Sequence, residues 1–396
     1  MPDFSASRAL AQSFVDRQLL PGFSSVVLKD GEVVEQFCTG PANIETAEAL
    51  RPDHIHRIFS NTKLITSVLT LMLMDEGHFR LDDPIKRWLP EFGQVRVLRP
   101  DAASIVDTEA LQNDITIRHL LSHQSGLSHG VFDPGTVIYN AYIASGVRSP
   151  NLTLAQAMPL LAALPLSYQP GSSWDYSMAA DVLARLAEII TGMDYQDVLR
   201  ARIFEPIGMI DTGYVVRDGQ QARLATLYKG QDPWNGRLPG LFPNPNVPWP
   251  DANLKPVARQ AGTGGMVSTQ ADYLRFLMQL QPGRPGLLKP ATLTDMLRDQ
   301  LPPGVCVQFQ KMGRLPSLGF GLGGAVTRGA SALQPNSLPG EFQWGGLAGT
   351  HWCISPANGV TIVQTAQRHF GFWNPFWFEY KQSVYAALGA TTKSPA

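Results

Sequence analysis

From Leu64 to Met74 the chain carries no charged residue, and only Thr66, Ser67 and Thr70 interrupt the apolar positions. A helix that is apolar around its whole circumference belongs inside a core, so the pattern predicts a buried helix beginning near Ser60, with Gly77 as a left-handed stop. The run falls short of the roughly 20 residues that a bilayer span requires. Leu10, Phe14 and Leu19 fall near helical spacing before Pro21-Gly22 and predict an amphipathic first helix. Phe23 to Leu28 and Val33 to Phe37 are β-rich runs on either side of Asp30-Gly31, a strong hairpin signal. The stretch Thr39 to Arg57 shows no period and reads as irregular.

Helical signals dominate the middle of the chain. Leu81-Asp82-Asp83-Pro84 and Trp88-Leu89-Pro90 read as a turn and short helix, and Thr116 is placed to cap a helix through Leu120 and Leu121. Longer helices are predicted over Leu152 to Leu164 and Ser177 to Ile190, the second closed by Gly192, with Gln169 to Tyr176 as a loop between them. Ser268 is placed to cap a helix from Gln270 to Leu280. The β-rich pattern then returns through Phe342 to Trp352 and Val360 to Gln364, ahead of an aromatic C-terminal helix from about Pro375 to Leu388. Strands at both ends with helices between predict one antiparallel sheet shared by the first hairpin and the late strands, an α/β (α+β) architecture. The expected division is a sheet-containing part from residues 1–57 with 257–396, and a mainly helical part from 58–256, within one unit spanning 1–396.

Composition narrows the class. Hydrophobic residues at 44% and charged residues at 16% of the 396 fit a compact globular enzyme. A net charge of −1 and a pI near 6.7 give no electrostatic case for nucleic acid or an anionic membrane as partner. Cys38, Cys306 and Cys353 are odd in number and lack metal-type spacing, so they are expected to be reduced and buried. The first residues show no basic segment leading into an apolar run, which makes the cytoplasm the expected location. Asp232 to Pro256 holds seven prolines, yet Trp234, Phe242 and Trp249 predict an ordered wall or lid.

Candidate chemistry centres on Ser60-Asn61-Thr62-Lys63. Positions i and i+3 share a helix face, so the hydroxyl and the amine can occupy one site. The first helical turn also leaves backbone N–H groups unpaired. A serine needs a base, and lysine serves only when burial or cationic neighbours lower its pKa. The same four residues also fit a capping serine and a solvent-facing lysine. Tyr176, on a loop just ahead of a helix, can shuttle a proton or simply pack its ring. Trp344-Gly345-Gly346-Leu347 permits close backbone approach, and the N–H groups of Leu347 and Ser60 together can hold an oxyanion; a bulge at a sheet edge is the alternative.

In order along the chain, Ser60-Asn61-Thr62-Lys63, His119 to Leu127, Tyr176-Ser177-Met178 with Ala180-Asp181-Val182-Leu183, Gly264 to Thr269 and Trp344-Gly345-Gly346 resemble the serine β-lactamase and penicillin-binding protein superfamily. Within it they resemble the family VIII carboxylesterases, which look like class C β-lactamases. The resemblance covers nearly the whole chain. It implies a β-lactamase-like fold with the active site in a cleft between the sheet and the helical region, and a Ser60 acyl-enzyme. Lys63 and Tyr176 would share general acid and base work, and Ser60 and Leu347 would form the oxyanion hole. No metal or cofactor is implied. Met178 and Trp344 stand where β-lactamases carry the Asn of Tyr-x-Asn and the Lys of Lys-Thr-Gly, which favours a short- to medium-chain, uncharged ester over a β-lactam. A small alcohol as acyl acceptor, and a penicillin-binding-type protein with little turnover, are the alternatives.

Other chemistries lose ground. There is no Gly-x-Ser-x-Gly elbow, and Gly262-Thr263-Gly264-Gly265 is not followed by Gly-Lys-Ser or Gly-Lys-Thr. His119 and His123 have metal-type spacing, but Leu120 replaces the glutamate expected after the first histidine of a zinc protease. His54 and His56 read as loop histidines. The cleft wall is expected from Ser128 to Val147 and Asp232 to Pro256, with Trp174, Trp344, Gly345, Gly346 and Trp352 nearby. No motif specifies an oligomer.

Overall fold

Residues along the central strands alternate between two cores, because successive strand side chains point to opposite faces. Val26, Leu28, Trp352, Ile354 and Val363 enter one core, whereas Val27, Cys353 and Ile362 enter the other. This period builds a sheet covered on both sides. The computed structural model describes residues 2–371 and 374–389. Its seven-stranded antiparallel sheet runs Leu318–Phe320, Ala325–Thr327, Phe342–Gly346, Thr350–Ser355, Val360–Thr365, Phe23–Lys29, Glu32–Thr39. The first hairpin therefore joins the late strands, with Ser24 opposite Thr365. Asp30 and Gly31 both have positive φ, as a two-residue type I′ hairpin turn requires.

One sheet face is covered by the helices Ser5–Asp16 and Phe376–Ala387, where Phe14 packs on Phe376 and Phe23 on Tyr380. The larger core on the opposite face contains the helix Thr62–Asp75, of whose 14 residues 11 are buried. Gly77 follows with φ +92°. The helix Ala179–Thr191 packs beside it and ends on the left-handed Gly192.

Local departures have physical causes. The stretch Thr39 to Arg57 is not irregular throughout, since it holds the short strand Ile55–Arg57, paired with Val267–Thr269. His56 is therefore a buried strand residue, driven to a pKa of about 3 by burial. Ser268 lies in that partner strand, and Thr269 instead caps the helix Gln270–Met278 through Asp272 N–H. Thr153 caps the helix Leu154–Ala162, a turn shorter than the apolar run. In the proline-rich stretch, Leu241–Pro243 pairs with Tyr228–Gly230, while Phe242 is exposed. Cys306 and Cys353 are buried, Cys38 is partly buried, and all three are free. No helix among the described residues is long and apolar enough to cross a membrane.

Candidate active site

Ser60 lies in a single 3-10 turn, Phe59–Asn61, that leads into the helix Thr62–Asp75. Phe59 takes a left-handed φ of +44°, an uncommon conformation for a bulky residue and one that is tolerated where surrounding packing fixes it. The turn is fixed from two sides. Thr350 Oγ1 donates to Ile58 O (3.4 Å) and Tyr273 Oη donates to Asn61 O (3.1 Å). The strand Phe342–Gly346 ends against this turn, and a Cβ on Gly346 would stand 2.3 Å from Ile58 O. Glycine is needed there for the close approach. The next residue, Leu347, lines the same cleft as Ser60.

Lys63 projects inward and is only 3% exposed. Its Nζ donates to Thr263 O at 2.8 Å and stands 4.4 Å from the centroid of the Tyr176 ring. Burial, aided by the charge of Arg148 and opposed by that of Asp181, brings its pKa down to about 7. Tyr176 is also buried. Its phenol accepts a hydrogen bond from Trp344 Nε1 at 3.3 Å, and burial raises its pKa well above the ordinary value despite hydrogen bonding from Ser60 and Trp344. Desolvation outweighs both hydrogen bonds, so the phenol is held in its neutral form. Ser60, Lys63, Tyr176 and Trp344 thus converge.

The glycine run 262–265 supplies the carbonyl that holds Lys63. A Cβ on Gly262 would meet Ala180 O at 2.1 Å, so this loop presses directly on the helix Ala179–Thr191. Asp181 on that helix is fully buried, accepts from Thr263 N–H (2.8 Å) and Oγ1 (2.7 Å), and pairs with Arg259. The motif that contains Asp181 was visible in the sequence, but this fastening of the Lys63 acceptor was not. Asp181→Ala is expected to lower stability by about 3–5 kcal/mol in urea denaturation, since it strands the buried Arg259 charge. A loss below about 1 kcal/mol would show the pair to be dispensable.

Two chambers meet at Ser60 and Leu347. A narrow apolar slot of about 10 Å³ is enclosed by Phe132, Tyr176, Phe309, Trp344 and Gly345. A broad chamber of about 420 Å³ opens on the other side, with Phe59, His129, Phe132, Tyr139, Arg148, Met178, Trp249, His369 and Phe370 among its walls. Both stretches expected to form the wall contribute, through His129 to Tyr139 and Val247 to Trp249. Phe309, His369 and Phe370 were missed, since each sits in or beside a short strand with no motif around it.

Two expected wall residues lie elsewhere. Trp174 is fully buried behind the site, against Phe309, Phe320 and Trp344, and supports the aromatic wall from the rear. Trp352 pairs across the sheet with Trp344, but its ring is fully buried against Phe342 and Gly324. Neither indole lines the cleft. Gly346 shapes the strand end, and Gly345 lines the slot.

The histidines take structural positions. His119 Nδ1 accepts from Thr116 N–H in a capping box, and His123 Nδ1 is bonded to Ser177 Oγ at 2.9 Å beneath Tyr176. Among the described residues no cluster of three His, Cys, Asp or Glu side chains is placed to hold a metal ion.

A serine at the head of a buried helix, a lysine one turn on, a tyrosine from the helical region and a sheet strand closing the cleft define the serine β-lactamase-like class. Residues 8–374 match the β-lactamase family, and the chain belongs to that family. It is 32% identical over 389 residues to esterase EstB of Burkholderia gladioli, covering 95% of this chain and 93% of that protein. It is 29% identical to acyltransferase calJ of Penicillium decumbens, covering 90% and 88%. The solved structure of EstCE1, described as a hydrolase with promiscuous acyltransferase activity, superposes with a TM-score of 0.82 at 26% identity, covering 96% of this chain and 97% of that one.

Proposed function

We propose that the protein is a serine carboxylesterase that cleaves short- to medium-chain acyl esters through an acyl-enzyme on Ser60. The observation that carries this reading is the buried Lys63 amine, with a pKa brought down to about 7, one helical turn from Ser60 and against Tyr176. Near neutral pH a large fraction of that amine is uncharged and able to accept a proton. The likeness to esterase EstB and to EstCE1 supports the same reaction class.

In the proposed sequence Lys63 accepts the Ser60 hydroxyl proton as Oγ attacks the ester carbonyl. The backbone N–H groups of Ser60 and Leu347 stabilise the oxyanion. Tyr176 stays a neutral phenol at working pH, so it can hand a proton to the departing alkoxide and be reprotonated by Lys63. The alcohol leaves, and a water activated by the same groups releases the acid and restores Ser60. An alcohol seated in the broad chamber would receive the acyl group in place of water, so acyl transfer is the expected side reaction. Met178 in the chamber wall and Trp344 in the slot place apolar surface where a β-lactam would need an amide and a cation.

Mixing the protein with p-nitrophenyl butyrate and quenching within the first turnovers should leave a butyryl group on the Ser60 peptide, read by mass spectrometry. Steady release of p-nitrophenol with the acyl group on another residue would overturn the assignment of Ser60.

A further inference from the structure

The broad chamber contains no Asp or Glu among its lining residues, but it contains two arginines. Arg259 is neutralised by Asp181. Arg148 is different. It lies exposed at the rim, and its single hydrogen bond among the described residues runs from Nη1 to Gly130 O at 3.0 Å, with no ion pair. A guanidinium offers five N–H donors in a fixed fork, so most of this one's donors have no protein partner among the described residues. The backbone that carries it is also fastened, since Arg259 Nη1 donates to Val147 O at 2.6 Å while the same guanidinium pairs with Asp181. The backbone beneath the charge is therefore anchored, and the guanidinium itself is tethered by its bond to Gly130 O. The other ionisable groups of the wall do not compete for an anion, because burial keeps His129 and His369 in the neutral form.

We propose that Arg148 is an anion-recognition residue, and that the preferred substrates are esters carrying a carboxylate in the portion that fills the broad chamber. The inference rests on the esterase reading of the cleft and refines the expectation of an uncharged ester. The cation is absent from the slot that Trp344 lines and present in the broad chamber. The slot beside Trp344 is apolar and, at about 10 Å³, admits no more than a water-sized group, so it excludes a carboxylate. The broad chamber is where the proposed reaction seats the alcohol, so the carboxylate belongs to the alcohol portion. Aromatic surface from Tyr139, Trp249 and Phe370 would cover the carbon chain between ester and carboxylate.

The test measures binding without turnover, by titration calorimetry on the full chain carrying Ser60→Ala. 4-(Butanoyloxy)butanoate is expected to bind about tenfold or more tightly than its neutral methyl ester, the scale of one charge-assisted bidentate contact. Adding Arg148→Gln should erase that difference, and Arg148→Lys should keep part of it. Monomethyl glutarate, with its carboxylate on the acyl side, should gain little over dimethyl glutarate. Equal binding of charged and neutral ligands, or a preference that survives Arg148→Gln, overturns the proposal. A gain confined to monomethyl glutarate overturns the placement on the alcohol side. Hydrolysis of p-nitrophenyl butyrate by the unmodified chain reports separately on the esterase reading, so the two can fail independently.

Discussion

Ser60→Ala is expected to lower kcat for p-nitrophenyl butyrate on the order of 10⁴- to 10⁶-fold, the scale seen when a covalent nucleophile is removed. The substitution deletes one oxygen and leaves the surrounding geometry in place, because the turn is held by Thr350 and Tyr273 through backbone carbonyls rather than through the serine side chain. The residual rate would then reflect only binding and the two backbone donors. Initial rates at equal protein concentration, with matched circular dichroism, decide the matter. Retention of more than about a tenth of the activity would show that hydrolysis does not pass through Ser60.

Lys63→Ala is expected to cost roughly 10²- to 10⁴-fold in kcat, the usual range for general acid–base assistance. A second readout tests the assignment, because the buried Asp175 carboxyl beside Tyr176, raised to about 8, would keep its bend when Lys63 is removed. The reactive form is the uncharged amine, so kcat/KM should rise with pH, bend near 7 and level off above it. Tyr176 cannot produce that bend, since its phenol is pushed upward and stays protonated throughout. Nor can the histidines around the cleft. Burial holds His123 and His129 well below their ordinary value, and His369 falls to about 4. In Lys63→Ala the bend should vanish. Its persistence would assign it to another group and remove Lys63 from the proton path.

The buried helix, the hairpin and the pairing of distant strands were legible because each follows from a local period or turn signal. Val26, Val27 and Leu28 alternate between two cores as strand geometry demands. Ser60, Lys63 and Tyr176 were legible as a spaced set, and the structure brings them together. The walls were legible only as stretches. Phe132, Phe309 and Phe370 arrive from separate loops and strand ends, and no period links them. Trp352 shows the limit of reasoning along a strand. It stands directly opposite Trp344, yet one indole reaches Tyr176 while the other is sealed under Phe342, a distinction set by what packs above each position. The Asp181 fastening also lay beyond reach, because its partners Arg259 and Thr263 are about eighty residues away and carry no pattern of their own.

The pairing of Phe23–Lys29 with Val360–Thr365 has a consequence for synthesis. Ser24 and Thr365, bonded through their hydroxyls, are separated by 341 residues. A nascent chain can form the first hairpin soon after it emerges, but that hairpin must wait for the residues around Thr365, 341 positions on, before its inner edge is covered. Long-range strand pairing of this kind raises contact order and slows folding, and it exposes an adhesive strand edge in the interval. Completion of the sheet is thus tied to the emergence of Val360–Thr365, and the fold that holds Ser60 in place closes only when both members of that distant pair have been made.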